Sequence, residues 1–119
     1  METKNRITIT VIDDVKEADI WILPDTAANK KTSVWGKAIA SHVALGESRR
    51  VPLCEPGDDG KYILRMIDSD SFYYSANGIE LQAGWTLRIK EKGSGAVAAE
   101  VSDENGLLKN TYDVFSARL

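Results

Sequence analysis

One cysteine and one histidine in 119 residues leave little material for the commonest catalytic chemistry. The lone Cys54 excludes an internal disulfide and a thiolate-rich metal site. A thiolate–imidazole enzyme would have to pair Cys54 with His42. A serine triad would need the same His42, and the chain has no G-x-S-x-G turn to present a nucleophile. Cys54 reads better as a small packing residue near a strand end, and His42 as a surface or partly buried side chain. Long apolar runs are also missing. Ala18 to Pro24 and Gly95 to Ala99 are strand-sized, far short of the ~20 residues that cross a bilayer as a helix. Basic residues are too few to dominate. Fifteen Lys and Arg against eighteen Asp and Glu give a net charge of −3, which argues against nucleic acid as a partner, because affinity for phosphate backbones rests on clustered cations.

What remains is ordinary in bulk and specific in pattern. A hydrophobic fraction of 43% and a charged fraction of 28% suit a globular chain, and 119 residues fit one domain, 1–119, with one core. Ile7, Ile9 and Val11 alternate with Thr8, Thr10 and Ile12, the period of a half-buried strand. Ala18 to Leu23 is apolar on both faces, as a central strand is. Pro52 places Arg49 to Cys54 on an edge. Pro56-Gly57-Asp58-Asp59-Gly60 is a dense turn cluster. After it come Tyr62 to Asp68, Phe72 to Ser75, an Asn77-Gly78 dipeptide that predicts a hairpin turn, Ile79 to Leu81, Trp85 to Lys90, Ala96 to Val101, a turn at Asp103 to Gly106, and Thr111 to Ala117.

Short strands at this spacing, with turn residues between them, predict an all-β fold: an antiparallel β-sandwich of eight to ten strands. Ser33 to Leu45 is ambiguous. Trp35, Ala38, Ile39, His42 and Val43 fall on one face of a short helix near 33–45, whereas Gly36 and the β-branched Val34, Ile39 and Val43 suit a loop and strand.

Two sets of residues could carry binding. Trp35 sits beside Gly36 in a stretch where Lys30, Lys31, Lys37, Arg49 and Arg50 oppose only Glu47, and one of Tyr73 and Tyr74 must face outward if both are on a strand. Trp35, Lys37 and Tyr74 are therefore the candidate ligand-binding residues, whereas Trp21 and Trp85, inside apolar strands, read as core. Acidic turns offer the alternative. Asp58, Asp59, Asp68 and Asp70 could supply oxygens to calcium, although Asp and Asn favour turns without any metal.

The order Asp19-Ile20-Trp21-Ile22-Leu23, Val34-Trp35-Gly36-Lys37, Leu45-Gly46-Glu47-Ser48, Tyr62 to Asp68 and Gly78-Ile79-Glu80-Leu81 resembles a loosely defined group of small bacterial β-domains. Many of these are secreted or lipid-anchored accessory proteins. The resemblance spans about residues 7 to 90 and implies no catalytic residues. It departs from the group where Asp13-Asp14-Val15 replaces an N-x-T-G turn. METKNR is followed by no apolar stretch, so no signal peptide is legible. The expected location is the cell envelope or exterior if an export segment precedes Met1, and the cytoplasm if the chain is complete as given.

These readings converge on a non-catalytic binding or interaction module. Its expected partner is a protein or glycan, its expected state a monomer or weak dimer, and no cofactor is implied. A calcium-dependent module and a small Cys54/His42 enzyme are the alternatives.

Overall fold

Alternating side chains can bury one face of a strand only if another layer covers it, and here the sheet supplies that layer by curling onto itself. The computed structural model describes residues 6–11, 17–31, 36–43, 46–93 and 96–118. Nine strands run in chain order: β1 Arg6–Val11, β2 Ala18–Pro24, β3 Ala40–Val43, β4 Ser48–Pro52, β5 Lys61–Asp68, β6 Phe72–Glu80, β7 Thr86–Gly93, β8 Ala96–Ser102 and β9 Leu108–Arg118. A single helical turn, α1 Ala27–Lys31, follows β2, and a 3₁₀ turn at Asp58–Gly60 leads into β5. The strands form one sheet in the order β3-β2-β5-β6-β9-β8-β7-β1-β4.

The fold is all-β, as the strand spacing predicts, with two refinements. The two layers are halves of one continuous sheet joined along β9, which pairs with β8 from Leu108 to Val114 and with β6 from Phe115 to Arg118. In addition, one pairing is parallel. β1 lies between β4 and β7, antiparallel to the first and parallel to the second. A parallel pair needs a long crossover, and most of the chain, from β2 to β6, lies between β1 and β7. The ends of the sheet, β3 and β4, approach without forming a ladder. Arg49 spans that seam, its Nη1 donating to the Ser41 carbonyl at 3.0 Å while its Nε binds Glu47.

The inward faces supply the core: Ile7 and Ile9 of β1, Ile20 and Ile22 of β2, Leu64 and Met66 of β5, Leu87 and Ile89 of β7, and Val97, Ala99 and Val101 of β8. Trp85 belongs to this core, as the sequence predicts, while Trp21 is only half-buried and its indole N–H donates to the Gly36 carbonyl.

Two local expectations are corrected. The helix considered near 33–45 gives way to strand β3 over Ala40–Val43, where Ala40 pairs with Ile20 and Val43 with Ala18. β-branched residues fit that pleat better than a helix. The helical turn occurs earlier, at Ala27–Lys31, with Thr26 Oγ1 accepting from the Asn29 amide. The other correction is at Asn77-Gly78, which is not a hairpin turn. β6 runs straight through it, and the register against β5 slips between Tyr62 and Leu64. The positive φ of Gly78, +69°, serves a bulge rather than a reversal. The Gly78 amide donates to Oδ2 of the buried Asp25 at 2.8 Å.

Asp25 is the centre of a compact tie. Its amide donates to the Lys61 carbonyl, its carbonyl accepts from Asp58, and its Oδ1 faces the Lys30 ammonium at 3.3 Å. Gly57 passes directly over it. A Cβ on Gly57 would stand 2.3 Å from the Asp25 nitrogen and 2.5 Å from its carbonyl oxygen. Because Gly57 has a φ of −91°, the requirement for glycine is steric rather than conformational. Gly57→Ala is expected to lower stability by about 2 kcal/mol or more in urea unfolding. Gly106→Ala, with a φ of +83° but open space around it, is expected to cost about 1 kcal/mol.

The Tyr62 hydroxyl anchors the same loop, donating to the Cys54 carbonyl at 2.7 Å. Burial, helped by nearby Cys54 and Glu55, pushes the phenol from 10.0 up to about 12. The neutral phenol is the form the fold favours, so the native state holds this proton more tightly than the unfolded chain. Its contribution to stability is complete below pH 10 and is lost as pH rises through about 12. Urea midpoints measured across that window are expected to fall, and the fall to be shallower in Tyr62→Phe.

Candidate functional site

Among the four acidic candidates, Asp68 is explained by local structure. Asp68 is buried, and its Oδ1 accepts from the amides of Asp70 and Phe72, both at 2.9 Å, while its Oδ2 accepts from the Tyr74 hydroxyl at 2.7 Å. It thus closes the β5–β6 turn, where Ser71 takes a left-handed φ of 66°. Asp58 and Asp59 are exposed at the opposite end of β5. The two acidic pairs sit at opposite ends of the eight-residue β5, whose length is roughly 24 Å at about 3.4 Å per step, so the four carboxylates cannot share one ion. Among the described residues there is no group of three or more His, Cys, Asp or Glu able to surround a metal.

Of the proposed ligand-binding residues, Lys37 and Tyr74 lie within the described residues. Tyr74 is a correction: it is 7% exposed, faces the core and has its hydroxyl committed to Asp68. Burial, then that hydrogen bond, pushes its phenol far above the ordinary range. Lys37 is exposed beside Gly36, while Trp35 lies outside the described residues. So does the side chain of His42, and with it the Cys54/His42 pair. Cys54 Sγ lies 3.8 Å from the Ile22 carbonyl, and partial burial raises its thiol pKa, the opposite of the shift that activates a nucleophile.

A different site emerges where β6 and β9 part. Their ladder ends at Ser75–Phe115. Beyond it, β6 bulges at Gly78 and stays with β5, whereas β9 stays with β8. The gap opens into a cleft of about 260 Å³ lined by Glu80, Gln82, Trp85, Val101, Lys109, Asn110 and Tyr112. Trp85 and Val101 form an apolar floor from the core, and the rim is charged and amide-bearing.

Side chains replace the missing ladder. Tyr112 reaches across from β9, and its oxygen accepts from the Glu80 amide at 3.1 Å and from Asn110 Nδ2 at 3.2 Å. That leaves the Tyr112 hydroxyl proton as a donor. Asn110 Oδ1 in turn accepts from the Thr111 amide at 2.9 Å. A bulge in β9 between Leu108 and Asn110 puts Lys109 at the rim. Glu80 and Lys109, of opposite charge, are both exposed.

None of these rim residues stands out in the sequence as a site. The available signal is a lapse in alternation: Leu108-Lys109-Asn110-Thr111 contains no inward apolar residue, although it lies on a strand. No family model, curated protein or solved structure matches the chain.

Tyr112→Phe removes the oxygen that holds the Glu80 amide. It is expected to cost about 1 kcal/mol and to speed hydrogen exchange at the Glu80 amide while leaving the Leu87 and Ala99 amides protected.

Proposed function

We propose that this protein is a non-catalytic binding module and that its ligand site is the β6–β9 cleft. The observation that carries this reading is the cleft itself. In a sheet whose strands are otherwise laddered to one another, two neighbours separate over an apolar floor of Trp85 and Val101 beneath a rim of Glu80, Gln82, Lys109 and Asn110. An apolar base with a few convergent polar groups is the usual composition of a binding pocket. The Tyr112 hydroxyl and the Asn110 and Gln82 amides supply directional donors and acceptors, and Trp85 and Tyr112 supply aromatic surface. The resemblance to accessory β-domains accords with a recognition role and with a protein or glycan as the partner.

The test is an NMR titration of the isotope-labelled chain with a pool of linear peptides and, separately, with a panel of neutral oligosaccharides. Shift changes confined to Glu80, Gln82, Trp85 and Lys109 to Tyr112 are expected with one of the two classes. Changes centred on Gly36 and Lys37, with the cleft silent, would overturn this placement.

A further inference from the structure

We infer that the cleft takes an extended peptide, which adds to the edge of β9 at Thr111 as an extra strand between β9 and β6. This rests on the reading of the cleft as the ligand site and specifies its occupant: a peptide segment with an apolar side chain for the floor and a carboxylate within reach of Lys109.

Backbone direction favours strand addition. The Asp103 amide points across the β8–β9 hairpin to the Leu107 carbonyl. Alternation then directs Val101, Ala99 and Val97 toward β9, so their partners Asn110, Tyr112 and Val114 face β8. Thr111 therefore points its amide into the gap, as do Phe115 and Ala117 where β6 is present to receive them. In the gap the Thr111 amide meets only the side chain of its own neighbour, Asn110, and the Glu80 amide on the opposite wall meets only the Tyr112 hydroxyl. Both are side-chain substitutes for a ladder, of the kind an incoming backbone can displace.

The pocket beside this edge also favours strand addition. Strand addition takes affinity from main-chain hydrogen bonds and specificity from sockets for alternate side chains, and the Trp85–Val101–Tyr112 floor is such a socket. Charge does too. Neither Lys109 nor Glu80 forms an ion pair with a described residue, so the basic wall and the acidic wall both remain available to a ligand. Finally, Leu107 and Leu108, 61% and 54% exposed, extend the apolar surface from the cleft toward the hairpin tip.

The experiment selects linear peptides from a phage-displayed library against the intact chain and resynthesises the tightest. Its affinity is then measured by calorimetry for wild type, Thr111→Pro and Thr111→Val. Proline removes an amide that makes no bond to β8, which an edge position tolerates, while valine keeps the amide and the shape. Roughly tenfold weaker binding to Thr111→Pro, with Thr111→Val unchanged, is the expected result. Single N-methylations along the peptide, tested on wild type, are expected to weaken binding most at alternate residues, those whose amides face β9, and this arm stands even if Thr111→Pro fails to fold. Equal binding to all three proteins, or N-methylation effects without alternation, overturns strand addition even where the cleft shifts in NMR. A cleft that responds to oligosaccharides but to no peptide overturns it while sparing the binding-module reading, and a silent cleft overturns both. A concentration-dependent dimer abolished by Thr111→Pro would make the occupant a second copy and overturn the peptide assignment.

Discussion

The change of partner along β9 is the constraint on which the rest of this structure depends. One strand has to serve β8 over its first half and β6 over its second. That lets a single sheet wrap around one aliphatic core without a second chain crossing the interior. It also leaves a split, because β9 joins β6 only past the end of its ladder with β8, while β6 keeps its ladder with β5 along its length. Upstream of Phe115 the two strands diverge, and backbone groups that a ladder would have satisfied need other partners. Tyr112 and Asn110 provide them. The cleft is thus a by-product of closing the sheet, floored by core residues because it opens directly onto the core.

Among the described residues the two buried carboxylates, Asp25 and Asp68, both accept from backbone amides where the chain changes direction or register. Asp68 gathers two amides and a phenol at the β5–β6 turn, and Asp25 holds the bulge of β6 through the Gly78 amide. Removing either would leave part-buried donors unpaired, which is costlier than the bonds themselves suggest. Asp68, which in sequence resembles part of a scattered metal site, is therefore read more fully as a fastener of the polypeptide.

Much of the fold was legible from side-chain period alone. Ile7 and Ile9, the apolar β2, the edge position of Pro52 and the turn at Asp103 to Gly106 all appear where alternation and turn chemistry put them. Partnership was not legible. Nothing in Arg6 to Val11 marks it for parallel pairing with β7, since period is the same in either direction. Asn77-Gly78 carries the chemistry of a hairpin, and only the Asp25 carboxylate, 53 residues upstream, turns its left-handed glycine into a bulge. The cleft was hidden for a related reason. Its two walls, Glu80 to Trp85 and Lys109 to Tyr112, are brought together by the topology, and neither contains a motif. Tyr74, by contrast, looked available because neighbouring strand residues face opposite ways, and it proved to be the one turned inward.

The packing of Gly57 against Asp25 bears on ancestry. Core positions such as Ile9, Leu87 or Val101 can exchange one aliphatic residue for another over evolutionary time and leave little overall identity behind. Gly57 has no such freedom, since any side chain would occupy the space of the Asp25 backbone. A lineage that keeps this architecture must keep that glycine, together with the aspartate at the end of β2 and the left-handed residue in β6 whose amide the aspartate holds. That sparse triplet, Asp25, Gly57 and Gly78, is a sharper signature of common descent than the strands that make up most of the chain.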